Sequence, residues 1–210
     1  MTTVIVPARM ASKRFPGKPL VEVEGKPLFM HAVEAGRKAG FETIVATPDT
    51  EIWDECQKRD IPCVMTSKDC PTGSHRVYEA ANFLGLEGNI INLQGDVVRF
   101  PPAYVQAVDE LLADCEFHVV TMASRNVVLN SNHVRVITHN GVALSFSREG
   151  GGLKHIGIYG YTAHALKWCF SKPREVDLEQ DCFVRDFHAA VIELPYDQSY
   201  SVDVPEDIRA

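Results

Sequence analysis

Several features that would assign a chain to a whole class of protein are missing from this sequence. No apolar run approaches the roughly 20 residues that a membrane-spanning helix needs. Basic residues are outnumbered, 21 against 28 acidic ones, and the net charge of −7 argues against binding to duplex nucleic acid or to a membrane surface. The first residues show no basic lead and no cleavage site, so we expect no signal peptide and a cytoplasmic protein.

Known cysteine and glycine motifs are also missing. No two cysteines have C-x-x-C spacing, which excludes a zinc ribbon and a thioredoxin-type motif, so we expect free thiols. The six cysteines are Cys56, Cys63, Cys70, Cys115, Cys169 and Cys182. Neither G-x-x-x-x-G-K-[ST] nor G-x-G-x-x-G occurs, so the two common glycine-rich phosphate loops are excluded.

What the first half does contain is a regular alternation of strand and helix patterns. Short β-branched runs predict strands, and longer amphipathic stretches between them predict helices. The predicted strands are 3–7, 43–47, 63–65, 90–93 and 118–123, and the helices begin near Pro27, Asp49, Thr72 and Pro101 or Pro102. This alternation predicts an α/β fold with a mostly parallel sheet that is flanked by helices.

The second half has a mixed pattern. Strands are predicted at 135–138 and 142–147 on either side of Asn140-Gly141, a dipeptide typical of a β-hairpin. Further predicted elements are a strand at 154–161, helices at 164–170 and 178–187, and a strand at 190–194. We expect these strands to extend the same sheet, with antiparallel strands at an edge. Since no linker is visible, we expect one domain over residues 1–210, with 1–123 and 124–210 as its two parts.

A basic loop follows the first predicted strand. Four cationic side chains fall between Arg9 and Lys18, and Gly17 and the small residues beside them let the backbone approach a ligand closely. Backbone amides and basic side chains of this kind hold phosphate groups. The loop is therefore either a phosphate-binding loop or a solvated basic loop.

Two aspartates are candidate ligands for a metal ion. Asp96 closes the fourth strand in Asn92-Leu93-Gln94-Gly95-Asp96, at the sheet edge where doubly wound folds bind ligands. Asp203 precedes Pro205 and is either a helix N-cap or a second carboxylate beside Asp96. If the two aspartates come together, they form the hard-oxygen site that Mg²⁺ needs in phosphoryl or nucleotidyl transfer. Gln94 can hydrogen-bond a base or a sugar.

Motifs along nearly the whole chain resemble one family. The opening PARMASKRFPGKPL resembles the nucleotide loop of sugar cytidylyltransferases, and it is most similar to that of the CMP-Kdo synthetases (3-deoxy-manno-octulosonate cytidylyltransferases). Further similar segments follow in the family's order: TGSHR at 72–76, NLQGD at 92–96, VALSFSR at 142–148, HIGIYGY at 155–161, LEQ at 178–180 and VDVPED at 202–207.

The resemblance implies a Rossmann-like nucleotidyltransferase fold and a reaction. CTP and a Kdo-like 2-keto sugar acid would give a CMP-sugar and pyrophosphate, with Mg²⁺ as the cofactor, in a cytoplasmic homodimer that serves lipopolysaccharide biosynthesis. Residues 1–123 would form the nucleotide-binding half, and 124–210 the part for sugar binding and dimerisation. Neither nucleic acid nor a membrane would be a partner.

The resemblance also assigns roles to residues by position in the motifs. Nucleotide contacts fall on Pro7, Ala8, Arg9, Ser12, Arg14, Lys18, Thr72, Ser74, Arg76 and Gln94. Sugar contacts fall on His155, Tyr159, Glu179 and Gln180, the metal on Asp96 and Asp203, and catalysis on Lys18, Arg14 and Asp96.

The chain also departs from the family pattern. Val97-Val98 replaces the Glu-Pro that usually follows the Q-G-D motif, and only residues 149–154 stand where the family carries a long segment. Two alternatives therefore stay open: activation of another acidic sugar, such as sialic acid, legionaminic acid or an amino-modified Kdo, and a nucleotide-binding homologue without turnover.

Overall fold

The computed structural model describes residues 1–12, 14–114, 116–125, 133–171 and 180–208. The strands are β1 Thr3–Pro7, β2 Glu22–Val23, β3 Lys26–Pro27, β4 Glu42–Thr47, β5 Cys63–Met65, β6 Ile90–Leu93, β7 Val97–Val98, β8 Val119–Ser124, β9 Arg135–His139, β10 Val142–Ser147, β11 Leu153–Tyr161, β12 Ala190–Leu194 and β13 Tyr200–Ser201. The helices are α1 Leu28–Lys38, α2 Thr50–Lys58, α3 Gly73–Phe83, α4 Pro102–Ala113, α5 Ala163–Phe170 and α6 Asp181–Asp186. Two short 3₁₀ turns occupy Lys18–Leu20 and Pro205–Asp207.

The main sheet has nine strands among the described residues, in the order β5-β4-β1-β6-β11-β8-β12-β10-β9. Strands β5, β4, β1 and β6 are parallel neighbours, and β12 runs parallel to β8. The parallel strands confirm the α/β prediction from the first half. They place the carboxyl ends of β1 and β6 side by side at one edge of the sheet.

The antiparallel strands only partly follow the sequence-based expectation. The hairpin of β9 and β10 lies at the sheet edge, and Asn140 and Gly141 have the positive φ angles, 50° and 75°, of its tight turn. Strand β11, however, lies in the middle, antiparallel to both β6 and β8. This strand is buried over most of its length, as a central strand must be. Helix α4 packs closely on it at Gly160, where a Cβ would lie only 2.5 Å from Val108.

Helices cover both faces of the sheet, and side chains of β1 alternate between them. Val4 and Val6 pack with residues of α1, α2 and α4, whereas Ile5 packs with residues of α3, α5 and α6. The side chains of Val4, Ile5 and Val6 are all fully buried. This alternation is what a parallel strand with helices on each side requires.

One predicted helix lies partly outside the described residues, and one of the two alternatives for Asp203 is wrong. Within the helix predicted at 178–187, the structure has a helix at Asp181–Asp186, flanked by Gln180 and Phe187, and 178–179 lie outside the described residues. Asp203 is not a helix cap: Val204 is the first flanking residue of a short 3₁₀ turn, and Asp207 accepts the backbone N–H of Asp203.

The cysteine and membrane predictions concern the same described ranges. Cys56, Cys63, Cys70, Cys169 and Cys182 are free thiols, as expected, and Cys115 lies outside the described residues. Across the described ranges, no helix combines the length and the apolar character required to cross a lipid bilayer.

Candidate active site

A cavity of about 660 Å³ opens at the carboxyl ends of β1 and β6. Its walls are made by the basic loop, by the start of α3, by the turn after β6 and by one aspartate near the C-terminus. The lining residues are Pro7, Ala8, Arg9, Ala11, Ser12, Arg14, Lys18, Gly73, Arg76, Gln94, Gly95, Asp96 and Asp203. Most of the predicted nucleotide residues and both predicted metal ligands therefore lie in one cavity.

Backbone contacts hold the basic loop in place. The N–H of Gly17 donates to the carbonyl of Met10 over 3.0 Å, and Gly17 has a φ of +73°, a conformation that glycine adopts without strain. The N–H of Met10 donates to the carboxylate of Asp49 over 2.7 Å. Asp49 occupies the N-cap position of α2, but its side chain makes no cap hydrogen bond and anchors the loop instead.

Two glycines bring backbone close to the cavity. A Cβ at Gly95 would lie 2.8 Å from the carbonyl oxygen of Pro7, so this position has no room for any side chain. A Cβ at Gly73 would lie 3.2 Å from the amide oxygen of Gln94. The missing side chains let the turn after β6 and the first turn of α3 approach the end of β1.

Two ion pairs connect the basic loop to the aspartates. Lys18 Nζ lies 2.8 Å from Asp96 Oδ2, and an Arg14 guanidinium nitrogen lies 2.7 Å from Asp203 Oδ1. Lys18 also donates to the carbonyl of Val202 over 2.8 Å. Since Arg14 is exposed and Lys18 is mostly buried, the Lys18 pair is the better shielded of the two.

A small antiparallel ladder explains why the aspartates are neighbours. Strands β7 and β13 pair, and the N–H of Val202 donates to the carbonyl of Asp96 over 2.9 Å. Asp203 follows directly, so its carboxylate comes beside that of Asp96. Burial raises the pKa of Asp203, and the negative charge of Asp96 raises it further, against the opposing effect of Lys18 and Arg14.

Arg76 is a buried cation on the cavity wall. The residue is 1% exposed, and its Nη1 donates to the Thr66 hydroxyl over 2.5 Å and to the Ser67 carbonyl over 3.1 Å. Its Nη2 has no hydrogen-bond partner within the described part of the chain. Burial lowers the pKa of Arg76, and no carboxylate is bonded to it there, so the side chain is suited to an acceptor from a ligand.

Thr72 and Ser74, two further predicted nucleotide contacts, are not among the residues that line the cavity. Thr72 caps α3, accepting the N–H of His75 over 3.3 Å. Ser74 is fully buried and accepts a hydrogen bond from the Asn92 amide over 3.0 Å. Both residues shape the start of α3 because their hydroxyls satisfy groups of the protein itself.

The three predicted sugar residues that the structure describes are not among the lining residues of this cavity either. His155, Tyr159 and Gln180 are 8%, 3% and 4% exposed and form a cluster of their own. The ring of His155 stacks on that of Tyr159 with centroids 5.0 Å apart, and Gln180 donates to the Tyr159 hydroxyl over 2.6 Å. Glu179 lies outside the described residues.

Sequence reasoning missed several residues that the structure places near the chemistry. Ala11 and Gly73 line the cavity, Asp49 anchors the loop, and Thr121 contacts His155. Gly73 could have been found from its position after a capping threonine, at an amide-rich helix start. No local pattern marks Thr121, since its partner is 34 positions away.

Solved structures define the class of protein. A structure described as CMP:2-keto-3-deoxy-manno-octonic acid synthetase complexed with CTP matches with a TM-score of 0.87 and 28% identity, covering 98% of this chain and 94% of its own. An inositol-1-phosphate CTP transferase from T. maritima matches with a TM-score of 0.81 at 15% identity, over 99% of this chain and 91% of its own, and supports the fold alone. The fold is that of a nucleotidyltransferase.

Sequence comparisons then define the family. The family model described as cytidylyltransferase matches residues 3–179, and the chain belongs to that family. A 3-deoxy-manno-octulosonate cytidylyltransferase from Nitratidesulfovibrio vulgaris is 34% identical, covering 97% of this chain and 92% of its own. An 8-amino-3,8-dideoxy-manno-octulosonate cytidylyltransferase from Shewanella amazonensis is 34% identical, covering 99% and 95%. These findings confirm the resemblance and the predicted fold class.

Proposed function

We propose that this cytidylyltransferase transfers CMP from CTP to the anomeric hydroxyl of a Kdo-like 2-keto sugar acid. The hydroxyl oxygen attacks the α-phosphorus, the bond to the bridging oxygen of the β-phosphate breaks, pyrophosphate leaves, and the hydroxyl proton passes to solvent. The observation that carries the proposal is the cavity in which the basic loop meets Asp96 and Asp203. Its charges match a triphosphate together with a divalent cation.

The basic loop is the part that would bind the triphosphate. Arg9, Arg14 and Lys18 all line the cavity, and a nucleotidyl transfer depends mainly on positioning and on charge neutralisation. Lys18 and Arg14 are paired with aspartates in this structure, so they can exchange these carboxylates for phosphate oxygens. Arg76 and Gln94 also line the cavity and would hydrogen-bond the nucleoside.

Asp96 and Asp203 are the residues that would hold Mg²⁺. Both aspartates line the same cavity, so the protein would supply two carboxylates to the ion. That number fits Mg²⁺, which keeps several waters and takes further oxygens from phosphates. The raised pKa of Asp203 supports the assignment, because adjacent carboxylates lose their repulsion when a cation lies between them. The ion would neutralise the charge that develops on the phosphates.

The sugar could also be an amino-modified Kdo. The relative from Shewanella amazonensis, named for an 8-amino sugar, is as similar to this chain as the relative named for the unmodified sugar. The resemblance implies a longer segment where this chain has only residues 149–154, so fewer residues would select between such sugars.

Pyrophosphate release is the experiment that separates these functions. CTP is supplied with Kdo, 8-amino-3,8-dideoxy-Kdo or sialic acid, and ATP and GTP replace CTP in matched reactions. We expect release with CTP and one of the two octulosonates only. Release with none of the sugar acids, with CTP still bound in a calorimeter, would show a binding protein without turnover. Faster release with ATP or GTP would contradict the assignment to CTP.

Two further properties stay proposals. A homodimer would show in the sedimentation velocity of the purified chain, with a mass of twice 23.3 kDa. A cytoplasmic location would show in fractionation of the producing cell.

A further inference from the structure

A buried polar cluster lies one strand away from the cavity. It is formed by Thr121 on β8, His155 and Tyr159 on β11, and Gln180 before α6. The carbonyl of Gly157, between His155 and Tyr159, accepts the N–H of Gln94 over 3.0 Å, which joins the cluster to the cavity wall. A role for this cluster in sugar recognition rests on the proposed function.

The contacts of Thr121 determine which nitrogen of His155 carries the proton. The Thr121 hydroxyl lies 2.6 Å from the carbonyl oxygen of Ile158, which can only accept, so the single hydroxyl proton is used there. The same oxygen lies 2.8 Å from Nε2 of His155 and must accept from it. The neutral ring therefore has its proton on Nε2, and its Nδ1 is an acceptor.

Gln180 presents a second acceptor beside the same tyrosine. Its Nε2 donates to the Tyr159 hydroxyl over 2.6 Å. Its Oε1 is buried and has no hydrogen-bond partner among the described residues. A buried amide oxygen that lacks a donor is costly, so this atom is suited to a donor supplied by a ligand.

We propose that Thr121 is a positioning residue that fixes His155 as the Nε2–H tautomer, so that His155 Nδ1 and Gln180 Oε1 accept hydrogen bonds from sugar hydroxyls. These two atoms then recognise hydroxyl groups of the substrate and form no hydrogen bond with its carboxylate. A carboxylate presents only acceptors, and two acceptors facing each other repel.

The charge state of His155 supports this polarity. Burial, and the nearby positive charge of Lys154, lower the pKa of the ring to about 3, so it stays neutral at ordinary pH. A neutral ring held this way orients a hydroxyl and is too weak a base to remove its proton at neutral pH.

The tautomer can be observed directly by nitrogen NMR of the imidazole rings in the full chain. The signals of His155 are assigned by their loss in His155→Phe, since the chain has 8 histidines. We expect Nε2 to show the shift of a protonated nitrogen and Nδ1 that of an unprotonated one. Thr121→Ser should keep this pattern and Thr121→Val should abolish it or mix the two tautomers. A proton on Nδ1 in the unchanged protein would overturn the proposal.

Sugar discrimination supplies the second measurement. The substrates are CTP with Kdo, with Kdo analogues that each lack one hydroxyl, and with the analogue whose carboxylate is an amide. Thr121→Val should raise the KM for Kdo about tenfold. It should also reduce the further increase in KM that is caused by the loss of one sugar hydroxyl. The increase in KM that is caused by replacing the carboxylate with an amide should be the same in Thr121→Val as in the unchanged protein. Thr43→Val, which removes another buried threonine hydroxyl far from the cluster, is the control for packing.

The outcomes distinguish this proposal from the proposed function. If Thr121→Val alters the increase in KM caused by the amide and leaves the increases caused by missing hydroxyls unchanged, the assigned polarity is wrong. If no sugar acid reacts although His155 shows the Nε2–H tautomer, the proposed function and the sugar contact fail, whereas the positioning role of Thr121 is upheld.

Discussion

Lys18 and Asp96 form an ion pair of 2.8 Å although 78 positions separate them in the chain. Lys18 is 14% exposed and Asp96 is 28% exposed, so the pair is shielded enough for its charges to interact strongly. The pair links the basic loop after β1 to the turn after β6. When a ligand with phosphate groups and a cation is bound, Lys18 would pair with the phosphates and Asp96 with the cation.

Replacing Asp96 by Asn should remove most of the turnover. The neutral amide is a poor ligand for Mg²⁺ and no longer balances Lys18, so we expect pyrophosphate release to fall about a hundredfold or more. Glu55→Gln, which removes a carboxylate from a surface pair with Arg59, is the control and should react normally. Chelation should abolish the activity of the unchanged protein and Mg²⁺ should restore it. A near-normal rate in Asp96→Asn would remove Asp96 from the metal site.

The dependence on Mg²⁺ should itself depend on pH through Asp203. Because the pKa of Asp203 is raised, a larger fraction of this carboxyl is protonated in acidic solution than for an ordinary aspartate. Protons then compete with Mg²⁺ for the carboxylate. The Mg²⁺ concentration for half activation should therefore fall as pH rises, by up to about tenfold per pH unit, and level off once Asp203 is ionised. Mg²⁺ titrations at several pH values measure this. Asp203→Asn should lose the dependence; an identical dependence in this variant would contradict the assignment.

Gly95→Ala should weaken CTP binding and lower stability. The added Cβ would meet the Pro7 carbonyl at 2.8 Å, so the end of β1 and the turn after β6 must separate. We expect a loss of about 1–3 kcal/mol in the free energy of unfolding and weaker CTP binding by calorimetry. Gly151→Ala is a matched control, because a Cβ there meets nothing within 4 Å. Equal behaviour of the two variants would show that the close approach is unimportant.

Arg76→Lys should weaken CTP binding. Lysine cannot keep the contacts to Thr66 and Ser67 and also present the unpartnered Nη2 to a ligand. We expect the dissociation constant for CTP to rise about tenfold or more, since hydrogen bonds to charged groups contribute roughly 1.5–3 kcal/mol. Arg59→Lys on the surface is the matched control. Unchanged CTP affinity in a folded Arg76→Lys would exclude a direct contact.

His155 should make the protein less stable in acid. Its folded pKa of about 3 lies below the unfolded value near 6.5, so the unfolded chain binds the extra proton. The stabilisation is therefore complete above pH 6.5 and is lost as the pH falls towards 3. Between pH 7 and 5 this group should cost about 2 kcal/mol. Urea unfolding of the unchanged protein and of His155→Phe measures it, and an equal loss in both would contradict the buried neutral ring.

Residues that act locally were predictable from the sequence. The alternation of β-branched runs and amphipathic stretches predicted the parallel strands β1, β4, β5 and β6. It could do so because the hydrophobic repeat along the sequence differs between strands and helices. The Asn140-Gly141 hairpin followed from the backbone preferences of two residues. The direction of parallel strands also predicted that the loop carrying Lys18 and the turn carrying Asp96 follow strands at the same end of the sheet.

Only the tertiary structure decided which distant groups meet and which partners their side chains contact. The sequence left Asp203 equally suited to capping and to metal binding, and the pairing of β7 with β13 brings it beside Asp96. It also suggested that Ser74 contacts a ligand, whereas the fold buries its hydroxyl against Asn92. Thr121 carries no local signal at all. Periodicity and turn chemistry act over a few residues, whereas burial and hydrogen-bond polarity depend on neighbours that the chain supplies from far away.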